Sequence, residues 1–145
     1  MSRSEGHSLP PRSSGEVRGL LDTSVVIDLD LINSDDLPDE TVLSAVTLAE
    51  LAAGPHAAVD EQERGRRQDR LQWAASRWDP LPLDADVARA YGRLYATTGS
   101  NGRRTRRRFA DLLIAATALA HGLPLFTRNP ADFAGLEELV QIRAV

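Results

Sequence analysis

A single α/β domain with a mainly parallel central sheet is what this sequence predicts. Short apolar runs alternate with segments of helical periodicity, the order that sets parallel strands between helices. Asp22 and Asn129 fall where strands are expected to end, the edge at which parallel sheets collect ligands. The length of 145 residues suits one domain, and a fold of that size buries about 70% of the surface its unfolded chain exposes.

Residues 1–18 are expected to be a disordered tail and residues 19–145 the folded domain. The opening MSRSEGHSLPPRSSGEVRG is rich in Ser, Gly and Pro, and it lacks the apolar middle of a secretory signal. From Val17 a short apolar strand passes through Leu20 and Leu21 to Asp22, after which Thr23 or Ser24 caps a helix bearing Val25, Val26 and Leu29. Thr41 to Val46 predicts a second strand, and TLAELAAG a helix starting at Thr47 and closed by Gly54 and Pro55. Charge dominates from about Ala57 to Trp78, yet Leu71, Ala74, Ala75 and Trp78 share a stripe, which predicts a surface helix or helical hairpin.

Asp84 is placed to cap a helix carrying Val87, Ala88, Tyr91, Leu94 and Tyr95 and ending near Gly99. The polar connection GSNGRRTRRR feeds an apolar helix from Phe109 to Ala120, stopped by Gly122 and Pro124. LPLFT then supplies a third strand delivering Thr127, Arg128 and Asn129, and LVQIRA a last one.

Composition narrows the chemistry. Cysteine is absent, which removes thiol nucleophiles, disulfides and thiolate-held zinc. Lysine is absent too, so all 17 basic residues are Arg, and P-loop and Schiff-base chemistry are excluded. No apolar run approaches the roughly 18 residues of a membrane span, and a cytoplasmic protein is expected. The net charge of −4 argues against a surface that coats DNA generally, although five of the six residues Arg103 to Arg108 are basic.

Three carboxylates stand in apolar settings: Asp22 in LLDTSVVIDL, Glu50 in VTLAELAAG and Asp111 in FADLLIAATALA. A buried, unpaired carboxylate protonates or finds a partner, so three of them point to a shared cation. Asp111 is in phase with Ile114, Ala115 and Ala118, which turns it inward if that face packs. The competing reading is an acid favouring the helix macrodipole. Glu50 also fits a capping box with Thr47, and Asp22 a helix entry. In TRNPADF, Asp132 offers a fourth acid and Asn129 a neutral oxygen ligand, unless both serve an Asx turn. Ser24 and Thr127 are candidate supporting hydroxyls. Oxygen-only ligands select Mg²⁺, with Mn²⁺ as a substitute, and a divalent cation can activate a water as a nucleophile. His7, His56 and His121 are poorly placed for acid–base work. Arg103, Arg104, Arg106 and Arg107, just before Asp111, are candidates for holding a phosphate group.

On the stretches LDTSVVIDL, SAVTLAEL, RRFADLLIAATALAHGLPLFTRNPADF and the closing strand, the chain resembles PIN-domain ribonucleases, and more narrowly VapC-type toxins of toxin–antitoxin pairs, over about residues 19 to 145. The resemblance implies a PIN-like three-layer fold, endoribonuclease activity, and an acidic set of Asp22, Glu50 and Asp111 with Asn129 or Asp132 fourth. It implies also an RNA substrate, a VapB-type antitoxin, a homodimer, and operator DNA reached only through the antitoxin. An alternative is a catalytically weak PIN-like module that binds RNA or protein. A phosphatase-like α/β hydrolase is disfavoured because no DxDxT motif follows the first strand and no lysine is present.

Overall fold

The structure is a computed structural model that describes residues 16–98 and 106–145. The expected tail up to residue 15, Arg103, Arg104 and the side chain of Arg106 lie outside the described residues. In chain order the elements are β1 (Arg18–Leu21), α1 (Thr23–Ile27), β2 (Glu40–Val42), α2 (Ala45–Ala57), α3 (Glu61–Arg77), α4 (Ala85–Thr98), α5 (Arg106–His121), β3 (Leu125–Thr127) and β4 (Ile142–Ala144), with short 3-10 turns between several of them. The strand order is β2-β1-β3-β4, and every pair is parallel.

Adjacent residues of a strand face opposite sides of the sheet. Here both sides are covered, which is why the strands read as unbroken apolar runs. Leu20, Val42 and Leu125 face a core built with α4, α5 and the segment carrying Phe133, Leu136 and Val140. Leu21, Leu43 and Phe126 face a second core built with Val25 and Val26 of α1, Leu51 of α2, and Ala74 and Trp78. The result is three layers, helices on each side of one sheet. Among the described residues no helix is long and apolar enough to cross a membrane.

After β1 the chain crosses to one side, to β2, and later returns to lay β3 on the other side of β1. The strand order therefore reverses between β1 and β3, and the crevice beyond their carboxyl ends is where such sheets bind ligands. Asp22 follows β1 directly, and Thr127 is the last residue of β3.

Several boundaries differ from those the sequence suggests. β2 ends at Val42, and α2 starts at Ala45 because the Ser44 hydroxyl accepts from the Val46 N–H at 3.0 Å. Thr47 is thus inside the helix, buried, and not its cap. At the other end α2 runs through Gly54 and Pro55 to Ala57. Arg67 of α3 donates to the Gly54 carbonyl at 2.9 Å, so that oxygen is satisfied from outside the helix. The charged region forms one long helix, α3, on which Ala74 is buried and Ala75 exposed.

Other signals hold. Asp84 accepts from the Val87 N–H at 3.1 Å ahead of α4. Gly122, at φ 64°, ends α5 in a Schellman arrangement: its N–H bonds to the Leu119 carbonyl, and Leu123 N–H to that of Ala118.

Gly19 is required for a steric reason. A Cβ there would lie 2.4 Å from Cε1 of the Phe126 ring and 3.0 Å from Cβ of Pro38, inside contact distance. Gly19→Ala is expected to displace the Phe126 ring and lower stability by about 1–3 kcal/mol, the usual range for overpacking. Urea denaturation checks it, and a change within about 0.5 kcal/mol would show that the ring yields freely.

Candidate metal centre

Asp22 is 6% exposed, and its carboxylate accepts three hydrogen bonds. Oδ1 accepts from the Thr23 N–H at 2.8 Å, and Oδ2 accepts from the hydroxyls of Ser24 and Thr127, each at 2.8 Å. Three donors replace the water lost on burial, which allows a charged group to sit at the switch point. Two of them are themselves fixed: the Ser24 oxygen accepts from the Arg128 N–H at 3.2 Å, and the Thr127 oxygen from the Asn129 N–H at 2.9 Å. Ser24 and Thr127 thus set the orientation of Asp22.

A cavity of about 440 Å³ opens beside this group, lined by Asp22, Thr23, Ser24, Ile27, Glu50, Arg107, Ala110, Asp111, Asn129 and Asp132. The structure therefore gathers every acid and amide singled out from the sequence at one mouth, from segments far apart along the chain. Thr23 and Ile27 had not been assigned to it. Thr23 lies next to Asp22 and reads from sequence as a cap; in the fold its hydroxyl donates to Glu50 and lies 3.0 Å from the Thr47 hydroxyl.

Glu50 is beyond the first turn of α2, so the capping box does not form. Asp111 likewise sits beyond the first turn of α5, where the macrodipole explanation loses its basis. Its phase partners Ile114, Ala115 and Ala118 are wholly buried, and Asp111 is half-buried at the edge of that face. Among the described residues no hydrogen-bond donor reaches its carboxyl. Desolvation, followed by the charges of Asp22 and Asp132, pushes its pKa up to about 7. Glu50 is exposed as a residue, yet its pKa is also raised, first by desolvation and then, against the Thr23 hydrogen bond, by Asp22.

Asn129 is exposed and its side chain makes no capping hydrogen bond, so the Asx-turn reading fails for it. Asp132 Oδ2 accepts from Arg107 Nη2 at 3.0 Å, and the Asp132 carbonyl from Arg108 Nη1 at 2.6 Å. Arg107 is thus paired with an acid of the pocket.

The donor set suits a hard divalent cation. The candidate ligands offer oxygens, and among the described residues four carboxylates and one guanidinium line the cavity. Among the described residues no three acidic, histidine or cysteine side chains are grouped closely enough to hold a metal ion.

The pH dependence follows from Asp111. Its folded pKa lies above the ordinary 3.8, so between 3.8 and about 7 the folded chain holds a proton that the unfolded chain has released. This contribution to stability is present at low pH and is lost as pH rises through that window. With chelator present, the thermal midpoint of the wild type is expected to fall relative to that of Asp111→Asn as pH is raised from roughly 5 to 7.5. Parallel pH profiles for the two proteins would contradict the assignment.

Comparison with known proteins identifies the family. The model of the PIN domain family matches residues 20–138. Ribonuclease VapC5 of Mycobacterium tuberculosis (strain ATCC 25618 / H37Rv) is 36% identical over 136 residues, covering 92% of this chain and 98% of the relative. Ribonuclease VapC8 of Mycobacterium tuberculosis (strain CDC 1551 / Oshkosh) is 40% identical over 108 residues, covering 73% of this chain and 96% of the relative. A crystal structure of VapBC-5, a member of the VapBC family of toxin–antitoxin systems from Mycobacterium tuberculosis, contains a chain that is 38% identical and superposes with a TM-score of 0.78, covering 89% of this chain and 99% of its own. The chain belongs to the PIN-domain family and, within it, to the VapC group.

Proposed function

We propose that this protein is the toxin of a type II toxin–antitoxin pair: an Mg²⁺-dependent endoribonuclease that acts in the cytoplasm and is restrained by a VapB-type antitoxin. The observation that carries the catalytic reading is the meeting of Asp22, Glu50, Asp111 and Asp132 at one cavity, with Arg107 the one guanidinium among the described residues of its lining. The ribonuclease and toxin–antitoxin names of the related proteins support the RNA substrate and the antitoxin. A homodimer, and contact with operator DNA through the antitoxin, follow from the same kinship.

Asp22, Glu50 and Asp111 would hold the cation, with Asp132 the fourth acid and Asn129 an amide oxygen beside it. When bound, the cation supplies Lewis-acid stabilisation of the scissile phosphate and makes water a stronger nucleophile at neutral pH. One P–O bond forms to the water oxygen and one P–O ester bond breaks.

The chain's own groups divide the work. Asp22, pinned by three donors, is the fixed point against which substrate and cation are positioned. Asp111, with no donor among the described residues, is free to shed its proton when a cation arrives. Glu50, steadied by the Thr23 hydroxyl, closes the side formed by α2. RNA phosphate approaches at the mouth, where Arg107 on α5 is exposed.

Asp111→Asn is expected to lower RNA cleavage at least about 100-fold while leaving the fold intact. Wild-type cleavage should stop with chelator, return with Mg²⁺ or Mn²⁺, and decline as falling pH protonates the acids that would hold the cation. The measurement is cleavage of a cellular RNA panel by antitoxin-free protein, with circular dichroism as the folding control. Cleavage that survives both the substitution and the chelator would remove the proposal. Binding of RNA without cleavage by the wild type would favour the non-catalytic module.

A further inference from the structure

Arg107 is the one basic side chain among the described residues that line the acidic cavity. It donates to Asp132 Oδ2 at 3.0 Å, across 25 positions of sequence. Its charge also acts on Asp111 and Asp22, and it offsets the rise in the Glu50 pKa. A guanidinium in this place does part of what a bound cation would do: it neutralises one of the converging acids.

Two features make the pair exchangeable. The side chains are 72% and 32% exposed, so the bond is screened and weak. The backbone of Asp132 is anchored independently, by Arg108 Nη1 on its carbonyl and by the wholly buried ring of Phe133 next to it. Breaking the Arg107 contact therefore needs side-chain rotation only, and the turn that carries Asp132 stays in place.

We propose that Arg107 is an internal competitor for the divalent cation, holding Asp132 in the metal-free protein and yielding that carboxylate when the cation enters. The inference rests on the metal-dependent reading above and adds a positioning residue to it. It also changes the role expected of Arg107 from sequence, because the guanidinium is available to RNA phosphate only after it has left Asp132. Cation loading and substrate capture then draw on the same side chain.

The test is Mn²⁺ binding to the full-length chain, titrated calorimetrically without RNA, for the wild type, Arg107→Gln, Asp132→Asn and the double variant. Each protein is first checked for an unchanged melting profile. Arg107→Gln is expected to bind Mn²⁺ roughly two- to fivefold more tightly than the wild type, the scale of an exposed ion pair. The gain should vanish when position 132 is already Asn, since no carboxylate is left to contest. An equal gain in both backgrounds would reveal only a general field effect and overturn the proposal, as would no gain in either. A wild type that takes up no Mn²⁺ would instead overturn the metal-dependent reading itself, so the two failures are distinguishable.

Discussion

The carboxylate of Asp22 organises this molecule. A charge that is 6% exposed is tolerated only because three donors from two chain segments reach it: the Thr23 N–H and Ser24 hydroxyl just after β1, and the Thr127 hydroxyl at the end of β3. β1 and β3 are the two inner strands of the sheet, and the strand order reverses between them. One acid thus ties the two strand ends together and marks the crevice. Removing Ser24 or Thr127 would leave a buried oxygen short of a donor, a defect that costs more than the bond itself contributes.

Around that fixed point the fold brings further negative charge than it neutralises. α2 supplies Glu50, α5 supplies Asp111, and the turn after β3 supplies Asp132, while the cavity lining returns one guanidinium. The imbalance is expressed most clearly at Asp111, whose pKa is pushed up to about 7 by desolvation and by the neighbouring acids. An isolated protein relieves such a cluster by keeping a proton; a divalent cation relieves it by replacing the proton. Local instability and affinity for a cation are two expressions of the same repulsion.

Much of this was legible in the sequence because it lies in local pattern. An apolar run ending in an acid located β1 and Asp22, the helix around Asp111 showed its buried face in Ile114, Ala115 and Ala118, and the resemblance over four short motifs implied the three-layer architecture. What was not legible depends on contacts between distant segments. α2 starts at Ala45 behind the cap Ser44, where Leu43 and Ala45 bond to the distant Leu81 backbone, so Thr47 is a buried hydroxyl inside the helix and Glu50 has no capping partner. The Arg107–Asp132 pair and the Gly19–Phe126 contact join positions whose nearness no local spacing announces. Ala75 shares the spacing of Ala74 on α3, but Ala74 is buried in the second core and Ala75 is exposed.

The central claim is that these oxygens jointly hold one divalent cation. Anomalous diffraction from crystals grown with Mn²⁺ tests it most directly. A peak in the cavity between Asp22, Glu50 and Asp111, with Asp132 turned from Arg107 toward it, is the result this account predicts. A cavity without a peak at saturating Mn²⁺, or a peak bound elsewhere while Arg107 keeps its hold on Asp132, would contradict it.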